Sequence, residues 1–277
     1  MARPAQDCVV LFGDSLTESM FGEGTLAKRM NGMRLQRAGS SGLMRLKADC
    51  VRVADVYARK LDVLNRGFGG YNTEMALSVF DGIFAKKDAA VTSQGVRLVT
   101  VWWGTNDSVH PPNTRHLPLQ TFVSNLETLL GRLTSPSSPY AVAHGDHPLS
   151  IILITPPPLC PTWDPGYGPD RPRVRTKDRQ NEFREAVLKT GKEYIRKKTE
   201  NPGARWKLAV VDLWGAIVKD AGGDGVELDP YFIDDVHLSS EGYAVLWREI
   251  ERTVKQDFKG RGVDWTDIDD LPMAAAW

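Results

Sequence analysis

Two segments that are far apart in the chain carry side chains that together could transfer an acyl group. Gly13-Asp14-Ser15 follows a short apolar run, and Asp234-Asp235-Val236-His237 precedes an amphipathic stretch near the end. An imidazole can take the proton of a serine hydroxyl, and a carboxylate on its second nitrogen holds the required tautomer. Each segment alone has a simpler interpretation, because Gly, Asp and Ser favour turns and caps and acidic residues favour helix starts.

Two further segments contain donors for an oxygen that becomes negatively charged. Gly104-Thr105-Asn106-Asp107 follows one apolar run, and the Asn106 side-chain amide can donate to an oxyanion. Gly67-Phe68-Gly69-Gly70 follows another, and a glycine N–H approaches such an oxygen closely because no Cβ blocks it. Turn formation explains either segment on its own. All four segments taken together favour one catalytic site.

Five short apolar runs rich in β-branched residues provide the elements that would position these segments. They are residues 8–12, 62–65, 96–103, 150–155 and 207–212. Apolar residues recur at helical spacing in two stretches between or after these runs: Phe122, Leu126, Leu129, Leu130 and Leu133, and Tyr243, Leu246, Trp247, Ile250 and Val254. This alternation predicts an α/β fold with a parallel sheet between two helix layers.

The predicted sheet places the polar segments at one edge, since ligands of open α/β sheets bind outside the carboxyl ends of the strands. We expect one domain over the 277 residues. A loop excursion at about residues 22–49 and a tail from about residue 262 do not fit the strand–helix alternation. The excursion follows the Gly13-Asp14-Ser15 segment, so it could roof a pocket there.

The composition excludes several classes of protein. Hydrophobic residues make up 42% of the chain and charged residues 25%, as in a globular protein with a sizeable core. Lys plus Arg and Asp plus Glu each number 35, so no basic surface for nucleic acid is predicted. The sequence contains neither a signal-peptide pattern nor an apolar run long enough to span a membrane. We therefore expect a cytoplasmic protein, and the composition says nothing about its oligomeric state.

The four polar segments resemble, in order, the four sequence blocks of the SGNH (GDSL) hydrolase family: Gly13-Asp14-Ser15, Gly70, Gly104-Thr105-Asn106-Asp107 and Asp234-Asp235-Val236-His237. The resemblance spans residues 9 to about 254 and implies a three-layer, flavodoxin-like fold with a five-stranded parallel sheet. It implies that Ser15 is the nucleophile, His237 the general base and Asp234 the carboxylate that orients it. Asp235 also precedes His237, but the family pattern D-x-x-H favours Asp234.

The same resemblance implies three donors for the oxyanion. They are the backbone N–H of Ser15, the backbone N–H of Gly70 and the side chain of Asn106. Gly69 is the alternative to Gly70, which is preferred because the family glycine directly precedes the turn that opens the next helix. No metal and no organic cofactor is implied.

Within the family, residues 65–73, Tyr57-Ala58-Arg59-Lys60-Leu61 and Ile154-Thr155-Pro156-Pro157-Pro158 resemble the isoamyl acetate-hydrolysing esterase group. This resemblance implies a carboxylesterase that cleaves small short-acyl esters such as acetates through an acyl-enzyme. A lysophospholipase, thioesterase or carbohydrate acetylesterase would use the same triad and remains open, as does transfer to an alcohol. A binding module that kept the fold but lost catalysis is less favoured, because the four blocks are intact.

Other interpretations of single motifs are weaker. The G-x-S-x-G elbow of the α/β-hydrolase fold is absent, and Gly67-Phe68-Gly69 lacks the third glycine of a dinucleotide-binding loop. His144-Gly145-Asp146-His147 offers three metal ligands, but it precedes a strand and so lies away from the expected site. A solvated loop explains that segment better.

Several side chains near the strand ends could contact a substrate. The predicted contacts are Asp14, Phe68, Tyr71 and Trp163. Phe12 and Trp103 could line the same pocket. However, Phe12 and at least one of Trp102 and Trp103 are expected in the core, since neighbours in a strand point to opposite faces.

Overall fold

Five short strands, most of them rich in Val, Ile and Leu, form the centre of the protein. A computed structural model describes residues 7–21, 52–88, 95–163, 174–267 and 269. The predicted excursion at about 22–49 lies outside these residues. The strands are β1 (Cys8–Gly13), β2 (Asp62–Gly67), β3 (Val96–Trp102), β4 (Leu149–Ile154) and β5 (Trp206–Val211). All five lie within a few residues of the predicted runs.

The strands pair in parallel in the order β2-β1-β3-β4-β5. From β1 the chain runs outward to β2 and then returns to the other side of β1 as β3. The strand order reverses at this point, and open α/β sheets bind ligands in the crevice that such a reversal creates. The predicted fold class, a three-layer α/β sandwich with a five-stranded parallel sheet, is confirmed.

Helices connect the strands and cover both faces of the sheet. They are α1 (Ser15–Glu18), α2 (Arg52–Val56), α3 (Thr73–Val79), α4 (Leu119–Thr134), α5 (Lys177–Glu200), α6 (Leu213–Ala221) and α7 (Ser240–Gln256). Short 3-10 turns occur at Ser19–Phe21, Phe80–Gly82, Ala141–Ala143 and Val226–Tyr231. The apolar stripes predicted from helical spacing lie in α4 and α7 and are buried.

Alternating strand side chains divide the core between the two faces. One face packs against α3, α4 and α5 and contains Phe12 and Trp103. The other packs against α6 and α7 and contains Trp102. All three aromatic side chains are at most 1% exposed, so the expectation that Phe12 and at least one of the two tryptophans belong to the core is confirmed. Burial of each stabilises the fold by roughly 1.5–3 kcal/mol relative to exposure.

The first residues of the predicted tail pack on the domain. The Tyr57 hydroxyl donates to the Val263 carbonyl at 2.6 Å. Trp265 stacks on Trp247 of α7, with ring centroids 5.1 Å apart. These contacts bury apolar surface of the α7 layer. None of the helices within the described ranges is long and apolar enough to cross a membrane.

Candidate active site

Ser15 lies where β1 turns sharply into α1. A side chain at Gly13 would collide with Thr17 and lie 2.6 Å from the Trp102 carbonyl, so only glycine fits this turn. The carboxylate of Asp14 then caps α1 by accepting the Leu16 N–H at 3.0 Å. Ser15 is thus the first residue of the helix, at the carboxyl end of the sheet.

His237 reaches Ser15 from the opposite end of the sequence, 222 positions away. Its Nε2 lies 2.9 Å from Ser15 Oγ. Its Nδ1 lies 2.6 Å from Asp234 Oδ2. The structure therefore brings together the serine, histidine and carboxylate in the order that the sequence predicts.

The loop that carries His237 is held by backbone contacts. Asp234 Oδ1 accepts the N–H of Val236 at 2.9 Å and that of His237 at 2.7 Å. The hydroxyl of Tyr243, in α7, donates to the carbonyl of Leu16 at 2.7 Å. Because Leu16 directly follows Ser15, this bond joins the helix behind the histidine to the turn that carries the serine.

Burial and charge act in opposite directions on the His237–Asp234 pair. Burial lowers the pKa of His237, but the hydrogen bond and negative charge of Asp234 outweigh it and leave that pKa above 6.5. Burial raises the pKa of Asp234, because it disfavours the charged carboxylate. The hydrogen bonds and charge of His237 and the N–H of Val236 outweigh burial and bring the pKa of Asp234 below its usual value. The pair therefore favours a charged imidazolium beside a carboxylate, which is the state that forms when the base takes a proton.

The predicted oxyanion donors follow neighbouring strands. Gly13, at the end of β1, pairs with Gly67 of β2 and with Trp102 of β3. Gly70 follows β2 in the left-handed region, with φ +81°, which favours glycine. Asn106 follows β3 and is buried, and its Nδ2 donates to the carbonyl of Tyr71 at 3.0 Å.

A second set of contacts fastens these two loops to each other. Asp107 Oδ1 accepts the N–H of Thr73 at 2.9 Å and its hydroxyl at 2.5 Å. Asn72 caps α3 by accepting the Met75 N–H at 3.1 Å. A primary amide has two N–H groups, so the bond from Asn106 to Tyr71 uses only one of them. The segments after β2 and β3 therefore form one rigid wall of the site.

Two buried carboxyl groups lie behind the site. Burial raises the pKa of Asp14 to about 7, and the nearby charge of Asp107 adds to this effect although the Leu16 N–H opposes it. Burial also raises the pKa of Asp107 to about 6 against its hydrogen bonds from Thr73. The Asp14 side chain is 1% exposed and caps α1, which favours a role in holding the turn over contact with a substrate.

The aromatic residues predicted to contact substrate occupy two places. Phe68 and Tyr71 are partly buried and stack on each other, with centroids 5.3 Å apart. Trp163 is also partly buried and packs against the core that contains Trp102. Their contact with substrate stays a prediction.

Arg175 is a site residue that sequence reasoning missed. Its Nη1 donates to Asp235 Oδ2 at 3.1 Å. Its Nη2 and Nε make longer contacts, each 3.4 Å, with Asn106 Oδ1 and the Thr105 carbonyl. It follows a sequence segment rich in Pro, Gly and Arg, and nothing in the sequence distinguishes it from its neighbours.

The segment with His144 and His147 lies just before β4, at the opposite edge of the sheet from Ser15. His144 Nε2 contacts the Ser138 carbonyl at 2.7 Å, and Asp146 is fully exposed. Across the ranges that the structure covers, no three His, Cys, Asp or Glu side chains gather as metal ligands would. A solvated loop therefore describes the segment well.

A parallel sheet with a Ser–His–Asp hydrogen-bond chain at its carboxyl edge has the arrangement of a serine hydrolase. A family profile described as GDSL-like Lipase/Acylhydrolase matches residues 9–250. The chain belongs to this family of ester hydrolases, and the resemblance to SGNH (GDSL) hydrolases is confirmed.

Curated relatives extend this assignment. An isoamyl acetate-hydrolyzing esterase 1 homolog of Bos taurus is 31% identical over 254 residues, covering 89% of this chain and 82% of that protein. A GDSL esterase/lipase of Arabidopsis thaliana is 30% identical over 260 residues, covering 92% and 82%. The resemblance to the isoamyl acetate-hydrolysing group is thus confirmed.

Solved structures share the fold at lower identity. A lipase/acylhydrolase from Enterococcus faecalis superposes with a TM-score of 0.52 at 24% identity, covering 91% of this chain and 96% of that one. An acetylxylan esterase variant from Geobacillus stearothermophilus gives 0.53 at 17% identity, covering 92% and 96%. These similarities support the architecture alone.

Proposed function

We propose that the protein is a carboxylesterase that works through an acyl-enzyme on Ser15. The observation that carries this proposal is the continuous hydrogen-bond chain from Ser15 Oγ through His237 to Asp234, with separations of 2.9 and 2.6 Å. Ser15 Oγ would attack the ester carbonyl while its proton moves to His237 Nε2. Asp234 would stabilise the imidazolium that results.

The tetrahedral intermediate would carry its negative charge on the former carbonyl oxygen. The N–H groups of Ser15 and Gly70 and the side chain of Asn106 would donate to that oxygen. Collapse would release the alcohol with the proton from His237. Water would then lose a proton to His237 and attack the acyl carbon, and collapse of this second intermediate would return that proton from His237 to Ser15 Oγ as the acid is released.

Small short-acyl esters such as acetates are the proposed substrates. The curated relatives that carry isoamyl acetate hydrolysis in their names support this choice.

Replacing Ser15 with alanine tests the nucleophile. Turnover of p-nitrophenyl acetate by Ser15→Ala should fall on the order of 10⁶-fold, as it does when a triad enzyme loses its nucleophile. The matched control is Ser78→Ala, which makes the same chemical change at an exposed position of α3 and should keep full turnover. Both variants should keep the melting temperature within a few degrees. Undiminished turnover in Ser15→Ala would refute the proposal.

A substrate panel distinguishes the alternatives that share this triad. Rates on p-nitrophenyl esters of increasing acyl length, a lysophospholipid, an acyl-thioester and an acetylated sugar would be compared at one enzyme concentration. The proposal expects the highest kcat/KM for acetyl esters. A higher kcat/KM for one of the other substrate classes would change the proposed substrate but not the proposed mechanism. No turnover of any substrate in the panel would favour a binding module.

A further inference from the structure

The guanidinium of Arg175 connects the histidine loop to the predicted oxyanion donor. It is anchored to Asp235 at 3.1 Å, and its side chain is only 12% exposed. From that anchor it reaches Asn106 Oδ1 and the Thr105 carbonyl, each at 3.4 Å. Asp235, the residue next to Asp234, thus holds the Arg175 guanidinium against the loop after β3.

Two opposite contacts determine which way the Asn106 amide faces. Its Nδ2 donates to the Tyr71 carbonyl at 3.0 Å, and its Oδ1 faces Arg175. A rotation of the amide by 180° would place its oxygen against a carbonyl oxygen and its NH₂ group against a guanidinium. Both new contacts would be repulsive, because a guanidinium has no acceptor and a carbonyl has no donor.

We propose that Arg175, held by Asp235, is a positioning residue that orients the Asn106 amide so that the N–H not bonded to Tyr71 faces the developing oxyanion. This inference rests on the proposed esterase mechanism. The positive charge also draws electron density toward Oδ1, which makes the amide N–H a stronger donor. Since the oxyanion exists only after attack on the carbonyl, loss of Arg175 should lower kcat and leave KM nearly unchanged.

A double-mutant cycle between Arg175→Met and Asn106→Ala tests this connection through kcat and KM for p-nitrophenyl acetate. Arg175→Met alone should lower kcat about tenfold, less than the 10²–10³ that loss of an oxyanion donor causes. In the Asn106→Ala background the same substitution should change kcat less than twofold, because the group it orients is gone. Arg175→Lys should restore only part of the loss, since an ammonium lacks the planar fork.

Arg184→Met is the matched control. Arg184 is similarly shielded and donates to Asp212 at 2.6 Å, but it lies beside the edge strand β5. Its loss should reduce the melting temperature and leave kcat within twofold. If Arg175→Met does not fold, Asp235→Asn, which weakens the anchor of Arg175, should give a smaller kcat loss that also disappears in the Asn106→Ala background.

Two results would overturn the inference. Equal kcat losses from Arg175→Met in the wild-type and Asn106→Ala backgrounds would mean that the arginine acts independently of the amide. A loss found in KM alone, largest for esters that carry a carboxylate, would mean that it binds substrate charge directly. Failure of the esterase mechanism is distinguishable, because either Ser15→Ala would retain the turnover of the wild type or the wild type itself would turn over no ester of the panel.

Discussion

Asp234 makes two kinds of contact that one substitution can separate. Its Oδ1 accepts two backbone N–H groups at 2.9 and 2.7 Å, and its Oδ2 faces His237 Nδ1 at 2.6 Å. In Asp234→Asn the amide oxygen can keep the two backbone contacts, while an NH₂ group takes the place of Oδ2. An NH₂ group requires an acceptor, so the proton of the imidazole would move from Nδ1 to Nε2.

The expected loss of activity follows from that change of tautomer. With its proton on Nε2, 2.9 Å from Ser15 Oγ, the imidazole can no longer take the serine proton. The same substitution in a serine protease triad lowers kcat on the order of 10⁴-fold, and we expect a comparable loss, about 5 kcal/mol of transition-state stabilisation. Thermal stability should change little, because the loop keeps its two backbone hydrogen bonds.

The assay compares Asp234→Asn with Asp235→Asn, using kcat/KM for p-nitrophenyl acetate and thermal melting. Asp235 lies next in the chain but faces Arg175 instead of the imidazole, so its substitution should cost about tenfold or less. The reasoning is wrong if Asp234→Asn retains more than a tenth of wild-type activity while folded. It is equally wrong if the two variants lose activity to the same extent.

Two pH-dependent predictions follow from the raised pKa values. Because the pKa of His237 lies above 6.5 and the base must be neutral, kcat/KM should begin to fall on acidification above pH 6.5, and a profile flat down to pH 5 would contradict that role. The pKa of Asp14 is raised from 3.8 to about 7, so the folded state holds a proton that the unfolded state has lost, and stability decreases as pH rises through this window. Asp14→Asn keeps a capping side chain but cannot titrate. The free energy of unfolding of Asp14→Asn relative to that of the wild type should therefore increase between about pH 4 and pH 7, by at most about 4 kcal/mol. Denaturant titrations measure this difference. If they show no such trend, the Asp14 carboxyl group lies in a more solvated environment.

The strands and the main site could be predicted because their signals are local. The central strands are mostly apolar, which is the pattern of a sheet covered on both faces. Ser15 and Asn106 follow strands of the sheet, so the parallel topology brings them to one edge. His237 lies in the loop before α7, and the family pattern D-x-x-H associates it with them. The stripes in α4 and α7 follow from helical periodicity in the same way.

The contacts that depend on tertiary structure could not be predicted. Arg175 follows a sequence segment without hydrophobic periodicity, and its contacts with Asp235 and Asn106 join positions 60 and 69 residues away. Nothing in a single sequence shows that the second carboxylate of Asp234-Asp235 binds an arginine. The cap that Asp14 forms could have been predicted. An Asp before a helix is a frequent N-cap, and its bond to the Leu16 N–H joins residues only two positions apart.

The 222 positions that separate Ser15 from His237 have a consequence for how the protein matures. Under the proposed mechanism, the serine emerges early in synthesis and remains an ordinary alcohol until the segment just before α7 supplies the imidazole. The proposed activity would then require both ends of the chain to be in place. Local fraying or proteolytic nicking around α7 would silence that activity even while most of the sheet stays intact.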